Sequence, residues 1–148
     1  MLILLGMSAA CCYAQEKADG NETVVTADTL EYDLKNATAT FRGHVVVKDP
    51  KINIQADQLV VLFDKESQIE RAHAQGNVRI HDGRSVATCR RAAYGAKKGE
   101  VILTGKARLV REKDTVTGDR ITFWLREERM LVEPGRLVVY PKRSGKPF

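Results

Sequence analysis

The sequence predicts an all-β fold, a flattened roll of stacked β-hairpins with open edge strands. Three observations carry that prediction. Apolar and polar residues alternate with a period of two through most of the chain, and no helical face extends over three turns. Turn-forming clusters interrupt the alternation at intervals of roughly 12 to 18 residues. Two short motifs recur with a period of about 30 residues, the mark of stacked repeats.

The first motif is set by Phe41-Arg42-Gly43-His44-Val45-Val46-Val47: an apolar or small residue, a spacer, glycine, a spacer and an apolar residue. It returns as Ala74-Gln75-Gly76-Asn77-Val78, as Leu103-Thr104-Gly105-Lys106-Ala107, and more loosely as Glu133-Pro134-Gly135-Arg136-Leu137. The four glycines lie 33, 29 and 30 residues apart. The second motif is a small residue, usually Asp, then alternating apolar residues. It opens at Ala27-Asp28, Ala56-Asp57 and Gly118-Asp119, with Ala87-Thr88 as the degenerate copy. Each repeat then holds about two strands and one tight return.

The strands follow in order. Ala39, Phe41, Gly43, Val45 and Val47 share one face against Thr38, Thr40, Arg42 and His44. Ala72, Ala74, Gly76, Val78 and Ile80 alternate with Arg71, His73, Gln75, Asn77, Arg79 and His81. Breaks fall at Lys35-Asn36, Asp49-Pro50, Asp64 to Ser67, His81-Asp82-Gly83, Lys97-Lys98-Gly99, Lys113-Asp114 and Arg126-Glu127-Glu128. A single hairpin cannot bury its apolar face, so the four stack around a shared interior. The outermost strands, near Glu22 to Thr26 and Arg136 to Tyr140, are left as open edges rich in strand formers. A glycine inside a strand marks a bulge, a corner between sheets or a close approach; interior volume left for a ligand is the functional alternative.

Length and composition bound the rest. The 148 residues make one domain, here 22–140. Residues 1–14, with Leu2-Ile3-Leu4-Leu5 and Cys12-Tyr13-Ala14, read as the core and cleavage region of a secretory signal, without a basic residue ahead of the apolar run. Cys11 or Cys12 as a lipoprotein attachment site is the rival reading. Residues 15–21 form a flexible lead-in and 141–148 a basic tail. Cleavage after Ala14 leaves Cys89 as the only cysteine, which excludes an intramolecular disulfide and a paired-cysteine zinc site.

The net charge of +5 permits an anionic partner without identifying one, and 6% aromatic content argues against a base-stacking nucleic-acid platform. Catalytic and metal signatures are missing. His73 and His81 lie eight residues apart, about 27 Å along a straight strand. Asp28, Asp57 and Asp119 recur one per repeat, which assigns them to turn capping or strand opening. Neither an enzyme nor a cofactor is expected.

At these motifs the sequence resembles the OstA-like family of lipopolysaccharide-transport proteins, which includes LptA, LptC and the N-terminal part of LptD. The likeness runs from about Thr23 to Tyr140, through Ile52-Asn53-Ile54-Gln55-Ala56-Asp57 and Thr117-Gly118-Asp119-Arg120-Ile121-Thr122-Phe123. It implies an incomplete β-jellyroll whose interior holds lipid acyl chains. It also implies a periplasmic location and head-to-tail association through edge strands, with LptC-like and LptD-like partners at the two membranes. The apolar positions carried over are Val25, Leu30, Tyr32, Leu34, Phe41, Val45, Ile52, Ile54, Leu59, Val61, Phe63, Val78, Ile80, Ile121, Phe123 and Leu125. Those assigned to partner edges are Val24, Thr26, Leu137 and Val139. Arg90 falls where an apolar residue is expected and is read as turned outward or snorkelling in preference to meeting a lipid phosphate, with Cys89 on the face opposite the interior. The alternatives to a soluble carrier are a membrane-tethered LptC-like subunit, a lipid-free assembly module, and an anionic-polymer binder using Arg42, Arg71, Arg79 and Lys106.

Overall fold

The computed structural model describes residues 22–140, and every regular element among them is a β-strand. The expected signal, lead-in and tail lie outside the described residues. The strands are β1 (Val24–Thr26), β2 (Thr29–Asp33), β3 (Thr38–Lys48), β4 (Asn53–Phe63), β5 (Ile69–His81), β6 (Ser85–Gly95), β7 (Glu100–Arg111), β8 (Asp114–Trp124), β9 (Arg129–Glu133) and β10 (Arg136–Val138). They form one antiparallel sheet in the order β1-β3-β4-β5-β6-β7-β8-β10, with β2 also on β3 and β9 also on β8. Aspartates close several of the turns. Asp82 Oδ1 accepts the N–H groups of Arg84 (2.9 Å) and Ser85 (2.6 Å), and Asp64 Oδ1 those of Glu66 and Gln68 (2.9 Å each).

The glycine motif makes a bulge halfway along each long strand pair. Gly43, Gly76 and Gly105 have φ of 79°, 82° and 80°, and His44, Asn77 and Lys106 follow at 47°, 46° and 50°. Two successive left-handed residues interrupt the pairing between Arg42 and Val45, Gln75 and Val78, and Thr104 and Ala107. The neighbouring strand leaves no room for a side chain there. A Cβ on Gly43 would meet the Asp28 side chain, with Asp28 Cβ at 2.9 Å, and one on Gly76 would lie 2.8 Å from Asp57 Cβ. Asp57 is therefore a mid-strand partner of the bulge and caps no turn, whereas Asp28 lies between β1 and β2 and opens β2, as expected for a strand-opening residue.

This geometry corrects the phasing of two repeats. At Gly105 the facing residue is Arg90, whose Cβ is 2.7 Å from a would-be Cβ, so the degenerate copy of small-Asp is Cys89-Arg90 and not Ala87-Thr88. Arg90 is exposed because it takes the outward aspartate position, and Cys89 faces the core, not the opposite face, at 8% exposure. In the fourth repeat only Pro134 and Gly135 separate Glu133, opposite Arg120, from Arg136, opposite Thr117. That bulge is one residue shorter, and Gly135 lacks the positive φ of the other three.

The bulges fold the sheet over itself. One layer holds β1, residues 45–48, 53–56, 78–81, 85–89, 107–111 and 114–118, and β10. The other holds β2, residues 38–42, 58–63, 69–75, 91–95, 100–104 and 120–124, and β9. Residues of both layers join a single buried cluster in which Leu103, Ile121, Val45 and Val78 are almost fully enclosed. Each edge thus consists of two short strands, not one. The last strand stops at Val138, so Val139 and Tyr140 lie beyond it, where the Tyr140 N–H donates to the buried Asp114 carboxylate at 3.1 Å.

Candidate functional site

Residues opposite one another on antiparallel strands share a face, so the pairing registers trace rows across the sheet. Three inner rows are apolar from edge to edge. One runs Leu30, Phe41, Leu59, Ala74, Ala92, Leu103, Ile121, Val132. Its neighbour runs Tyr32, Ala39, Val61, Ala72, Tyr94, Val101, Phe123, Met130. In the other layer the row is Val25, Val47, Ile54, Ile80, Ala87, Leu109, Val116, Leu137. The alternation seen in the sequence builds these rows, because a strand with a fixed register sends every second side chain inward.

The expected interior positions separate into three groups. Val45, Leu59, Val61, Val78 and Ile121 are packed core, between 0% and 6% exposed, and offer no surface to a ligand. Val25, Phe41, Ile54, Phe63, Ile80 and Phe123 are half-buried against that core, and Ile52 is likewise half-buried. Leu30, Tyr32, Leu34 and Leu125 are 50–85% exposed. Leu34, at 85%, lies in the β2–β3 turn, outside the interior. Tyr32 packs on Phe63 with ring centroids 6.1 Å apart, so an apolar patch lies open at the β2 edge.

Between the layers lies a cleft of about 690 Å³. Ile52, Ile80, Val101, Phe123, Leu125 and Met130 give it an apolar lining, joined by charged Asp82, Arg111, Glu128 and Arg129. This falls within the roughly 300–1,000 Å³ typical of small-molecule sites. Ile52, Ile80, Phe123 and Leu125 were legible as interior positions from their alternation. Val101 and Leu109 had the same signal. Met130 and Val132 lie in the short β9, beside a turn cluster and the irregular fourth repeat, where alternation is too brief to read. Arg129 stacks on Trp124, 4.2 Å from the ring centroid, and pairs with Glu127 at 3.3 Å.

Electrostatics at the bulges and in the core follow local geometry. His44 Nδ1 lies 2.8 Å from Asp28 Oδ2, and this hydrogen bond, then the carboxylate charge, raises the imidazole above its ordinary value. Asn77 Nδ2 donates to Asp57 Oδ2 at 3.0 Å in the equivalent place. Arg42 reaches Glu31 at 3.1 Å. Burial pushes the Cys89 thiol up to about 11, which keeps it protonated and inert. Among the described residues no group of three metal-binding side chains converges.

Comparison with known proteins agrees with this architecture. The family described as LptA/(LptD N-terminal domain) LPS transport protein matches residues 24–129. The lipopolysaccharide export system protein LptH of Pseudomonas aeruginosa is 25% identical over 83% of this chain and 73% of its own length. The lipopolysaccharide export system protein LptA of Escherichia coli K12 is 26% identical over 72% of this chain, which spans 61% of that relative's length. Among solved structures, P. aeruginosa LptH, described as the LptA-homologous periplasmic component of the lipopolysaccharide transport device, aligns with a TM-score of 0.73. That alignment covers 82% of this chain and 96% of LptH at 19% identity, and it shows the shared fold. With the family match covering well over half of its residues, the chain belongs to the LptA and LptD N-terminal domain family of lipopolysaccharide-transport proteins.

Proposed function

We propose that this protein is a periplasmic, non-enzymatic carrier that shields lipopolysaccharide acyl chains between its two sheet layers and bridges the inner and outer membranes by edge-to-edge assembly. The observation that carries this reading is the set of three apolar rows reaching both edges, with an unfilled cleft between the layers. Each acyl methylene left in water costs about 0.8 kcal/mol, so a shielded path is needed at every step of the crossing. An interior that is lined but not packed shut supplies it, and half-exposed side chains hold lipid weakly enough to release it.

The edges support the bridging half. The three junctions between successive repeats, β3–β4, β5–β6 and β7–β8, share one register: Arg42 opposite Gln58, Gln75 opposite Arg91, Thr104 opposite Arg120. Continuing that register from β9 and β10 onto β2 and β1 of a second copy sets Val132 opposite Leu30, Met130 opposite Tyr32 and Leu137 opposite Val25. All six are inner-face residues, so the apolar rows run on across the junction. An inner-membrane partner like LptC and an outer-membrane partner like LptD would dock on the same edges. Val24 and Thr26 belong to this edge; Val139 follows the last paired residue.

Site-specific photo-crosslinking tests the carrier reading. A benzophenone side chain replaces Phe123, Ile80 or Met130, with Arg79 as the outward control. Lipopolysaccharide adducts at the three inner positions and not at Arg79 are expected. A folded, exported protein without inner adducts would refute the carrier and leave a packed assembly module. Val132→Asp and Leu30→Asp test the edges: each alone should stay monomeric in sedimentation, and their mixture should form only heterodimers, joined through the two unaltered edges while the substituted ones repel. Assembly of either variant alone would remove the proposed junction.

A further inference from the structure

The outer face of the bend carries a charge pattern that neither the apolar interior nor the edges use. One outer row crosses the sheet as Gln55, Arg79, Thr88, Arg108, Thr117, Arg136, and the row on the other side of the bulge as Gln75, Arg91, Thr104, Arg120, Glu133. Arg90 and Lys106 lie between them at the third bulge. Arg79, Arg90, Arg91, Lys106, Arg108, Arg120 and Arg136 are all exposed. The acids accompanying them are Asp119 and Glu133. The other end of the same bend carries Asp28 and Asp57 on the bulges, with Arg42 neutralised by Glu31. Positive charge is thus concentrated on the C-terminal half of the ridge.

The ridge is not flat. Lys106, Arg108, Thr117, Asp119, Pro134 and Arg136 line a hollow of about 470 Å³ on it. The shortened fourth bulge packs closely on Gly118, one of the residues beside the hollow: a Cβ there would lie 2.6 Å from Val132 Cγ1 and 2.8 Å from the Pro134 carbonyl oxygen.

We propose that this hollow binds an anionic saccharide, a sugar unit bearing phosphate or carboxylate. Lys106, Arg108 and Arg136 would neutralise the anion, guanidinium groups in the forked geometry that suits phosphate and carboxylate. Thr117 and Asp119 would take the hydroxyls, the carboxylate accepting from them. Asp119 favours a sugar, from whose hydroxyls its carboxylate accepts, over a bare phosphate, which it repels. The concave shape and the lack of an apolar side chain to insert argue the same way. Such a sugar could belong to the head group of the transported lipid or to a separate anionic cell-envelope polymer; both present the same chemistry.

The test is amide chemical-shift titration of the full-length protein at low ionic strength. The probes are a lipid-free phosphorylated oligosaccharide released from lipopolysaccharide, a soluble uronic-acid polymer, inorganic phosphate, and phosphatidylglycerol vesicles. Saturable shifts at Thr117, Gly118 and Arg136 with a saccharide probe are expected, weakened about tenfold in Arg108→Gln/Arg136→Gln. Lys35→Gln/Lys65→Gln, an equal charge change on exposed turns, should retain the binding. The stronger saccharide probe identifies the source, and either source supports the proposal. Equal weakening in both double variants, phosphate binding as tightly as the saccharides, response to vesicles alone, or no shift in the hollow would each overturn it. Unchanged spectra elsewhere in the variants establish that they fold.

Discussion

Gly76→Ala probes the bulge that lets the sheet fold over. Two costs add. A left-handed φ of 82° costs an alanine about 1–2 kcal/mol. The new methyl would also lie 2.8 Å from Asp57 Cβ, and relieving that overlap costs about 1–3 kcal/mol. The sum, about 2–5 kcal/mol, is a large part of a typical stability of roughly 5–15 kcal/mol. At about 3–5 °C per kcal/mol for a domain of this size, the melting temperature should fall by roughly 6–25 °C. Urea denaturation with an unchanged m-value would measure the loss directly. Gly83→Ala is the control, because its φ is 89° but nothing lies within 4 Å of the added methyl. It should cost only the backbone part, about 1–2 kcal/mol. Asp57→Gly, which removes the opposing Cβ, combined with Gly76→Ala should recover at least about 1 kcal/mol relative to the sum of the singles, a coupling visible in a double-mutant cycle. Equal effects at Gly76 and Gly83, or no coupling with Asp57, would refute the steric account.

Cys89 should resist a thiol reagent in the native protein at pH 8, with a thiol pushed up to about 11, and react fully in urea; fast native labelling would contradict its burial. His44 should titrate above its ordinary value, and Asp28→Asn should lower the midpoint in an NMR titration. Because the folded value is raised, the stabilisation is fully present below about pH 6.5 and lost as pH rises through the folded midpoint, so denaturation curves of the protein and His44→Gln should converge at alkaline pH. Leu103→Ala, at a 1% exposed core position, should cost about 2–5 kcal/mol. Leu125→Ala, at 55% exposure beside the cleft, should change stability by about 0.5 kcal/mol or less yet reduce lipid crosslinking from Phe123.

The long strands were legible because their alternation persists for eleven or more residues, as in β3 and β5, and because aspartates and glycines mark their turns. The Gly-Xaa bulges were legible as glycines in strand interiors. Their partners were misplaced in the third repeat, since Cys89-Arg90 shares neither the acid nor the usual small residue of Ala56-Asp57; only the register reveals that Arg90 faces Gly105. Apolar periodicity traced the inner face along the long strands, though it misplaced Leu34 and Cys89, and it did not separate Leu59 and Val61, sealed in the core, from Ile80 and Phe123, which reach the cleft. That difference depends on how closely the two layers approach, a tertiary property absent from any single strand. Met130 and Val132 went unread because β9 is only five residues long.

The uniform register of the junctions has a consequence for length. The path from edge to edge counts eight strands, β1 and β10 included, so at about 4.8 Å per strand each copy would advance a continuous sheet by roughly 38 Å. Every repeat contributes two strands, or roughly 10 Å, and ends in the same pairing phase in which it began. A duplication of one repeat would lengthen the molecule by that increment without altering either end. The fold behaves as a ruler with interchangeable divisions: in the proposed assembly the distance bridged would be set by counting repeats and copies, and no division requires a surface of its own.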